Sequence, residues 1–195
     1  MSVYPSAQFL FSAAAAAQFP ADSGAEVAIA GRSNAGKSSA INAITARHAL
    51  ARTSKMPGRT RLLNFFQLSP GRRLIDLPGY GFAEGPPAER DRWARLIDAL
   101  AERECLRGLL LVVDARRGLL AGDRQLLAWA EAMERPVHVL LSKSDQLKRA
   151  EARTLLARSE AQLEGRGSVQ LFSARAGVGL EEARGTIDAW LRTAD

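Results

Sequence analysis

Between Ala30 and Ala43 the chain reads AGRSNAGKSSAINA: two glycines, one lysine and paired serines behind an apolar run. Gly31-Arg32-Ser33-Asn34-Ala35-Gly36-Lys37-Ser38 fits the pattern G-x-x-x-x-G-K-[ST], and Ser39 follows it. The glycines let the backbone turn tightly and aim its N–H groups at one anion. A helix beginning at Lys37 directs its positive dipole end at the same point. Lys37 can then reach the β- and γ-phosphates of a nucleotide, and the Ser38 hydroxyl can ligate Mg²⁺. An ordinary glycine turn is the alternative, and the position between a strand-like run and a helix-like one weighs against it.

Three further stretches decide which nucleotide. Asp76 ends an apolar run and is followed by Leu77-Pro78-Gly79. A P-loop protein keeps there the carboxylate that holds the Mg²⁺ hydration shell, and Gly79 can offer its N–H to the γ-phosphate. Alone, this tetrapeptide is a common turn. Ser142-Lys143-Ser144-Asp145 ends another apolar run. The two oxygens of Asp145 can accept both guanine N1–H and its 2-amine, a donor pair adenine lacks. The aliphatic stem of Lys143 can lie along the base. Phe172-Ser173-Ala174 ends the last apolar run, where a backbone N–H can donate to guanine O6. Each motif is weak by itself; their order behind a P-loop points to GTP and GDP.

Elements must hold these residues at one edge. Glu26–Gly31, Thr60–Leu68, Arg72–Leu77, Gly108–Ala115, Pro136–Asp145 and Ser168–Ala174 read as six strands. Helical patterns fall at Lys37–Thr45, Ala88–Arg103, around Leu126–Met133, at Gln146–Leu163 and at Leu180–Arg192, and Asp123 can cap the third. Strands alternating with helices imply an α/β, three-layer fold: a mostly parallel six-stranded sheet with helices on both faces. Sites in such sheets lie at the carboxyl ends of the strands. Residues 25–195 form one domain, preceded over residues 1–24 by an alanine-rich helix packing on it. No lysine or arginine precedes that segment, so it is not read as a signal peptide. No apolar run approaches the roughly 18 residues of a membrane span. The single cysteine, Cys105, excludes an internal disulfide and suits a reducing cytoplasm.

The net charge is +6 and unevenly placed. Between Glu26 and Asp76 there are nine lysines and arginines and no acid, so the remainder is net negative. A one-sided field of this kind attracts phosphate. Arg47 to Gly58, basic and poor in large apolar residues, is expected to order only with a γ-phosphate present.

The motifs GRSNAGKSS, PGRTRLLNFF, DLPGYGFA, LSKSD and FSARAGVGLEE, with the lead-in FLFSAAAAAQFP, together resemble the bacterial EngB (YihA/YsxC) family of translation-factor-type GTPases. The resemblance implies the P-loop GTPase fold and a GTPase acting in assembly of the large ribosomal subunit, tied to normal cell division and septation. It implies that Gly58-Arg59-Thr60 belongs to the nucleotide site and that Thr60 ligates Mg²⁺ beside Ser38 and Asp76. Two departures matter. Ser142 stands where the guanine motif usually has asparagine or threonine. Tyr80, not the glutamine that orients water in many small GTPases, follows Gly79. Slow hydrolysis is the expected consequence. Lys37, Thr60 and Asn34 are the candidate catalytic residues; the Asn34 amide can coordinate K⁺ where an arginine finger would otherwise neutralise charge, or else hydrogen-bond within the loop. The expected partners are the large-subunit precursor and its rRNA, with no membrane, for a cytoplasmic monomer. Alternatives are a GTP-dependent regulator of septation with no RNA contact, a P-loop kinase or ATPase, and a degenerate P-loop that binds no nucleotide.

Overall fold

Runs rich in valine, isoleucine, leucine and alanine, with few polar residues among them, make the centre of the sheet. The computed structural model describes residues 4–51, 62–80 and 87–192. β2 (Ala25–Gly31), β5 (Leu106–Asp114) and β6 (Val137–Ser142) are buried along nearly their whole length, as strands covered on both faces must be. β4 (Arg72–Asp76) and β7 (Ser168–Leu171) flank them in parallel. β3 (Leu63–Ser69) turns back antiparallel to β4 through Pro70-Gly71, where Gly71 takes φ +73°. The sheet order is β1-β3-β4-β2-β5-β6-β7.

Alternate residues along the strands face opposite layers. Val27, Ile29, Leu110 and Val112 pack with Ile41 and Ile44 of α1 (Lys37–Thr45) and Ile187 and Leu191 of α5 (Leu180–Leu191). Ala28, Ala30, Leu109 and Leu111 pack against α2 (Pro87–Ala101), α3 (Ala121–Ala132) and α4 (Arg149–Leu163), through Leu96, Leu126 and Leu163 among others. The expected three layers are there. Asp123 caps α3 from inside its first turn, its carboxylate accepting the Leu120 N–H at 2.7 Å.

The lead-in departs from expectation. Gln8–Ala13 is not helix but β1, a seventh strand antiparallel to β3. Its Phe9 and Phe11 lie on Phe66 and Phe65 with ring centroids 5.9 and 5.1 Å apart. Aromatic cross-strand pairs stabilise a sheet edge, whereas five consecutive alanines are too few to nucleate a helix. Those alanines supply only a 3₁₀ turn at Ala16–Gln18. Similarly, a 3₁₀ turn at Ser144–Gln146 precedes α4, which starts at Arg149 rather than Gln146. Of the expected loop Arg47–Gly58, residues 52–58 lie outside the described residues. Its beginning is anchored: Asn42 holds both the N–H and the C=O of Ala51, at 2.8 and 2.9 Å.

At the amino end of the sheet a charge is fully buried. Glu26 has no solvent exposure and is gripped by Arg103 at 2.8 and 3.0 Å and by Arg73 at 2.7 Å. Arg103 also donates to the carbonyls of Pro20 and Ala21, which ties the lead-in down. Next to it, burial pushes the Cys105 thiol up to about 12, the behaviour of an inert core cysteine. Among the described residues no helix is long and apolar enough to cross a membrane.

A second buried polar chain crosses β6 and β7. His138 Nε2 lies 2.7 Å from Gln170 Oε1, and Nδ1 lies 2.6 Å from Ser168 Oγ. An amide oxygen only accepts, so Nε2 carries the proton and Nδ1 accepts from the serine. Burial lowers the proton affinity of this imidazole. The unfolded chain therefore binds the proton first. Stability is full above about pH 6.5 and falls as pH drops below it, by at most about 1.4 kcal/mol per pH unit for one group. Urea unfolding between pH 7 and 5 should show this slope, and His138→Gln should flatten it; an unchanged slope would assign the acid sensitivity to other groups.

Candidate nucleotide site

Strand register brings the sequence candidates to one rim. Ile29 stands opposite Asp76, Gly31 opposite Val112, Asp114 opposite Ser142, and Leu141 opposite Leu171. Gly31, Asp76, Asp114 and Ser142 thus close four adjacent parallel strands, and Phe172-Ser173-Ala174 leaves the fifth. Gly58, Arg59 and Thr60 lie outside the described residues.

The loop from Arg32 to Gly36 joins β2 to α1. A Cβ at Gly31 would stand 2.7 Å from the Val112 carbonyl oxygen, so only glycine lets the loop leave the sheet here. Gly36 enters the helix at φ +98° and Asn34 sits at φ +63°, both left-handed. Within the loop, the Ser33 N–H donates to Tyr80 O at 3.2 Å and Ala35 N–H to Arg32 O at 3.0 Å. The N–H groups of Asn34, Gly36, Lys37 and Ser38 find no acceptor among the described residues. These are the free donors of a helix start, the ordinary requirement for holding phosphate. Neither the Asn34 amide nor the Ser38 hydroxyl has a partner among the described residues, so a hydrogen bond from the Asn34 side chain within its own loop is not what holds this turn. Ser39 is exposed.

Lys37 Nζ pairs with Asp76 Oδ1, and Asn64 Nδ2 donates to Asp76 Oδ2 at 3.3 Å. Leu77 is held to β2 through its N–H to Ile29 O at 2.9 Å; Pro78 is buried and Gly79 exposed. A Cβ on Gly79 would come within 3.3 Å of the Ser33 backbone, so the segment after Asp76 rests directly on the P-loop. Among the described residues no three His, Cys, Asp or Glu side chains gather to hold a metal. A hydroxyl and a carboxylate beside free N–H groups are instead a donor set that fits Mg²⁺ sharing its ligands with bound phosphates.

The base-reading candidates are bound to the same loop. Ser142 Oγ donates to Ala35 O, so the serine keeps and uses the hydroxyl donor that a threonine would bring. Lys143, at φ +59°, donates from Nζ to Asn34 O at 2.6 Å and to Asp114 Oδ2 at 2.8 Å. Ser144 binds Phe172 O through both its N–H and its hydroxyl, at 3.1 and 3.0 Å. Ser173 Oγ donates to Asp145 Oδ1 at 2.6 Å and accepts the Ala176 N–H at 3.0 Å. Sequence reasoning missed Asp114. It receives Arg116 through two nitrogens at 2.9 and 2.6 Å as well as Lys143, and Arg116 first, then Lys143, hold its carboxyl far below the usual range. The signal was present: a lone carboxylate ending the apolar run Gly108–Val113 must have a partner, and that strand ends on the rim.

Tyr80 stands where a water-orienting glutamine would, and it is turned elsewhere. Its hydroxyl donates to fully buried Asp123 and its ring lies on α3, where a Cβ at Gly122 would meet it at 3.3 Å. Burial, then Asp123, raises this phenol well above the tyrosine range, so it cannot serve as a base. Tyr80→Phe should cost about 1–3 kcal/mol in urea unfolding, because Asp123 loses a donor in a dry site, and should leave hydrolysis near the parent rate. A variant of parental stability with lost turnover would instead give the hydroxyl a part in the reaction.

Comparison with known proteins gives the family and the fold. The family model described as 50S ribosome-binding GTPase matches residues 26–143. The probable GTP-binding protein EngB of Coxiella burnetii is 45% identical over 194 residues, covering 97% of this chain and 95% of that protein. A crystal structure of a probable GTP-binding protein engB superposes with TM-score 0.66 at 24% identity, covering 86% of this chain and 99% of that one. Era bound to MgGDPNP and nucleotides 1506–1542 of 16S ribosomal RNA shares the fold with TM-score 0.68 at 22% identity, over 89% of this chain and 58% of that one. The chain belongs to the EngB family of GTP-binding proteins, within the 50S ribosome-binding GTPases.

Proposed function

We propose that this protein is a slow GTPase that works in the cytoplasm, as a monomer, as a nucleotide switch in assembly of the large ribosomal subunit, and that normal cell division and septation depend on it. One observation carries the reading. Lys143 clasps the P-loop at Asn34 O while its neighbour Asp145 is aimed by Ser173, so one short segment joins a guanine reader to a phosphate cradle. A kinase or ATPase has no use for that joint. The basic interval from Arg32 to Arg73 exceeds what a nucleotide needs and supports contact with rRNA.

In this reading the free N–H groups of Gly36, Lys37 and Ser38 hold the phosphates, and Lys37 exchanges Asp76 for a β- or γ-oxygen. Ser38, Thr60 and Asp76, the last through its water shell, would hold Mg²⁺, which supplies charge neutralisation at the phosphate oxygens. Asp145 reads the guanine edge, Lys143 lies along the base, and the backbone of Phe172-Ser173-Ala174 approaches O6. Leu77-Pro78-Gly79 and Gly58-Arg59-Thr60 respond to the γ-phosphate. With no side chain among the described residues placed to orient water, hydrolysis in this reading depends on charge at the P-loop. There the amide of Asn34, which has no partner among the described residues, offers an oxygen to K⁺.

The protein should co-sediment with large ribosomal subunits in the presence of a non-hydrolysable GTP analogue and release them with GDP. Asp145→Asn should do so with a xanthosine analogue instead, since xanthine presents a carbonyl where guanine presents an amine. Failure of the parent to sediment in either state, with nucleotide binding intact, would favour a regulator that binds only proteins. For Asn34, GTP turnover should be faster in potassium than in sodium at matched ionic strength, and Asn34→Ala should remove the difference. Equal rates in the two salts, alone and on ribosomal particles, would leave Asn34 as a turn residue.

A further inference from the structure

Beside the nucleotide cradle, on the outer wall of the P-loop, lies a second cleft of about 270 Å³. It runs between Arg32–Ala35 and the connection from β5 to α3, with Tyr80 on one side. It shares Arg32–Ala35 and Lys143 with the nucleotide site, but neither Lys37, Ser38, Asp145 nor Ser173 lines it, and its far wall is the β5–α3 connection. Four cations face it: Arg32, Arg116, Arg117 and Lys143. One carboxylate, Asp114, answers them, and its two oxygens are taken by Arg116 and Lys143. Arg32 and Arg117 have no ion pair or side-chain hydrogen bond among the described residues.

We propose that this cleft seats a backbone phosphate of an RNA strand, a proposal that rests on the ribosomal reading above and gives it a place on the molecule. Four cations around one carboxylate leave an excess of positive charge in a confined space, which a phosphodiester neutralises. Asp114 fixes the Arg116 guanidinium through two parallel hydrogen bonds, so one arm of the seat is preorganised. Arg117 is exposed and free to close on the ligand. The position gives a reason for nucleotide dependence. The wall of the seat is Asn34 and Tyr80, and Tyr80 O accepts the Ser33 N–H. A γ-phosphate that shifts the P-loop or the segment after Asp76 reshapes the seat directly. Arg32, out of the acid-free interval, and Arg116 and Arg117, far along the chain, thus serve one ligand.

The test is anisotropy of a labelled single-stranded RNA of about a dozen nucleotides, titrated with the full chain and a GTP analogue from 50 to 300 mM KCl. Arg117→Ala should lower the slope of log K against log [salt] by about one, the loss of one phosphate contact, with GTP affinity unchanged. Arg117→Lys, which keeps the charge, should hold the slope. Arg107→Ala is the matched control: it removes the same charge from an exposed position at the opposite end of β5 from Asp114. If Arg117→Ala and Arg107→Ala reduce the slope equally, binding is diffuse and the seat is refuted while the ribosomal reading stands. If inorganic phosphate at matched ionic strength erases the difference between parent and Arg117→Ala, the seat belongs to the free anion and the RNA proposal falls. No binding by the parent in either nucleotide state, on the oligonucleotide or on ribosomal subunits, would take down both readings together.

Discussion

The inner strands of a sheet satisfy their backbone along their length and leave it open only at the ends. In this protein five parallel strands stop at one edge, and the described residues of the candidate site are gathered there. The loop after β2 cannot turn over the sheet by packing, because the Val112 carbonyl lies where a side chain would be. It must wrap as bare backbone instead, with its N–H groups pointing outward from the start of α1. The remaining rim residues are arranged around that fact. Asp76 meets the lysine, Ser142 and Lys143 take two of the loop's carbonyls, and Tyr80 takes one of its N–H groups.

Lys143 is the residue through which the halves of the site communicate. Its ammonium is shared between a P-loop carbonyl and Asp114, while the adjoining turn carries Asp145. The loop after β7 is fastened independently. The Ser144 hydroxyl holds its first carbonyl, and Gln170, set by His138, holds Gly179 O at 2.7 Å where α5 begins. Ser173 is therefore presented to Asp145 by a turn pinned at both ends. Such preorganisation keeps a recognition site from losing binding energy to its own ordering.

The parts of this arrangement that are legible in the sequence are those that chemistry confines to a few neighbouring positions. The P-loop, Asp76, the SKSD turn and the strand ends before them each need particular residue types in a fixed local order. Residues whose meaning depends on a distant partner were not legible. Asp114 looks like the end of a strand until Lys143 and Arg116 are placed beside it. Tyr80 looks only like a missing glutamine until Asp123, 43 residues away, accepts its hydroxyl. The lead-in misleads for a related reason. Its alanines speak locally for helix, while Phe9 and Phe11 are decided by Phe65 and Phe66 on another strand. The short apolar stripe of α2, by contrast, reads correctly as Leu96, Ile97 and Leu100 in the core with Trp93 at its margin.

The buried trio at the other end of the sheet bears on how such a chain can change over time. Glu26 is held by Arg73 and Arg103, one from the neighbouring strand and one from beyond α2. Losing Glu26 leaves the Arg103 guanidinium buried without a carboxylate, at about 3–5 kcal/mol, a large part of the roughly 5–15 kcal/mol that holds an ordinary domain together; losing either arginine leaves a one-to-one pair. An all-apolar replacement of the three would be tolerable, but a path that begins with Glu26 passes through a chain that barely folds. Glu26 is thus the member that drift cannot erode first. It should persist as long as Arg103 stays buried, and the lead-in that Arg103 fastens should share the fate of that pair.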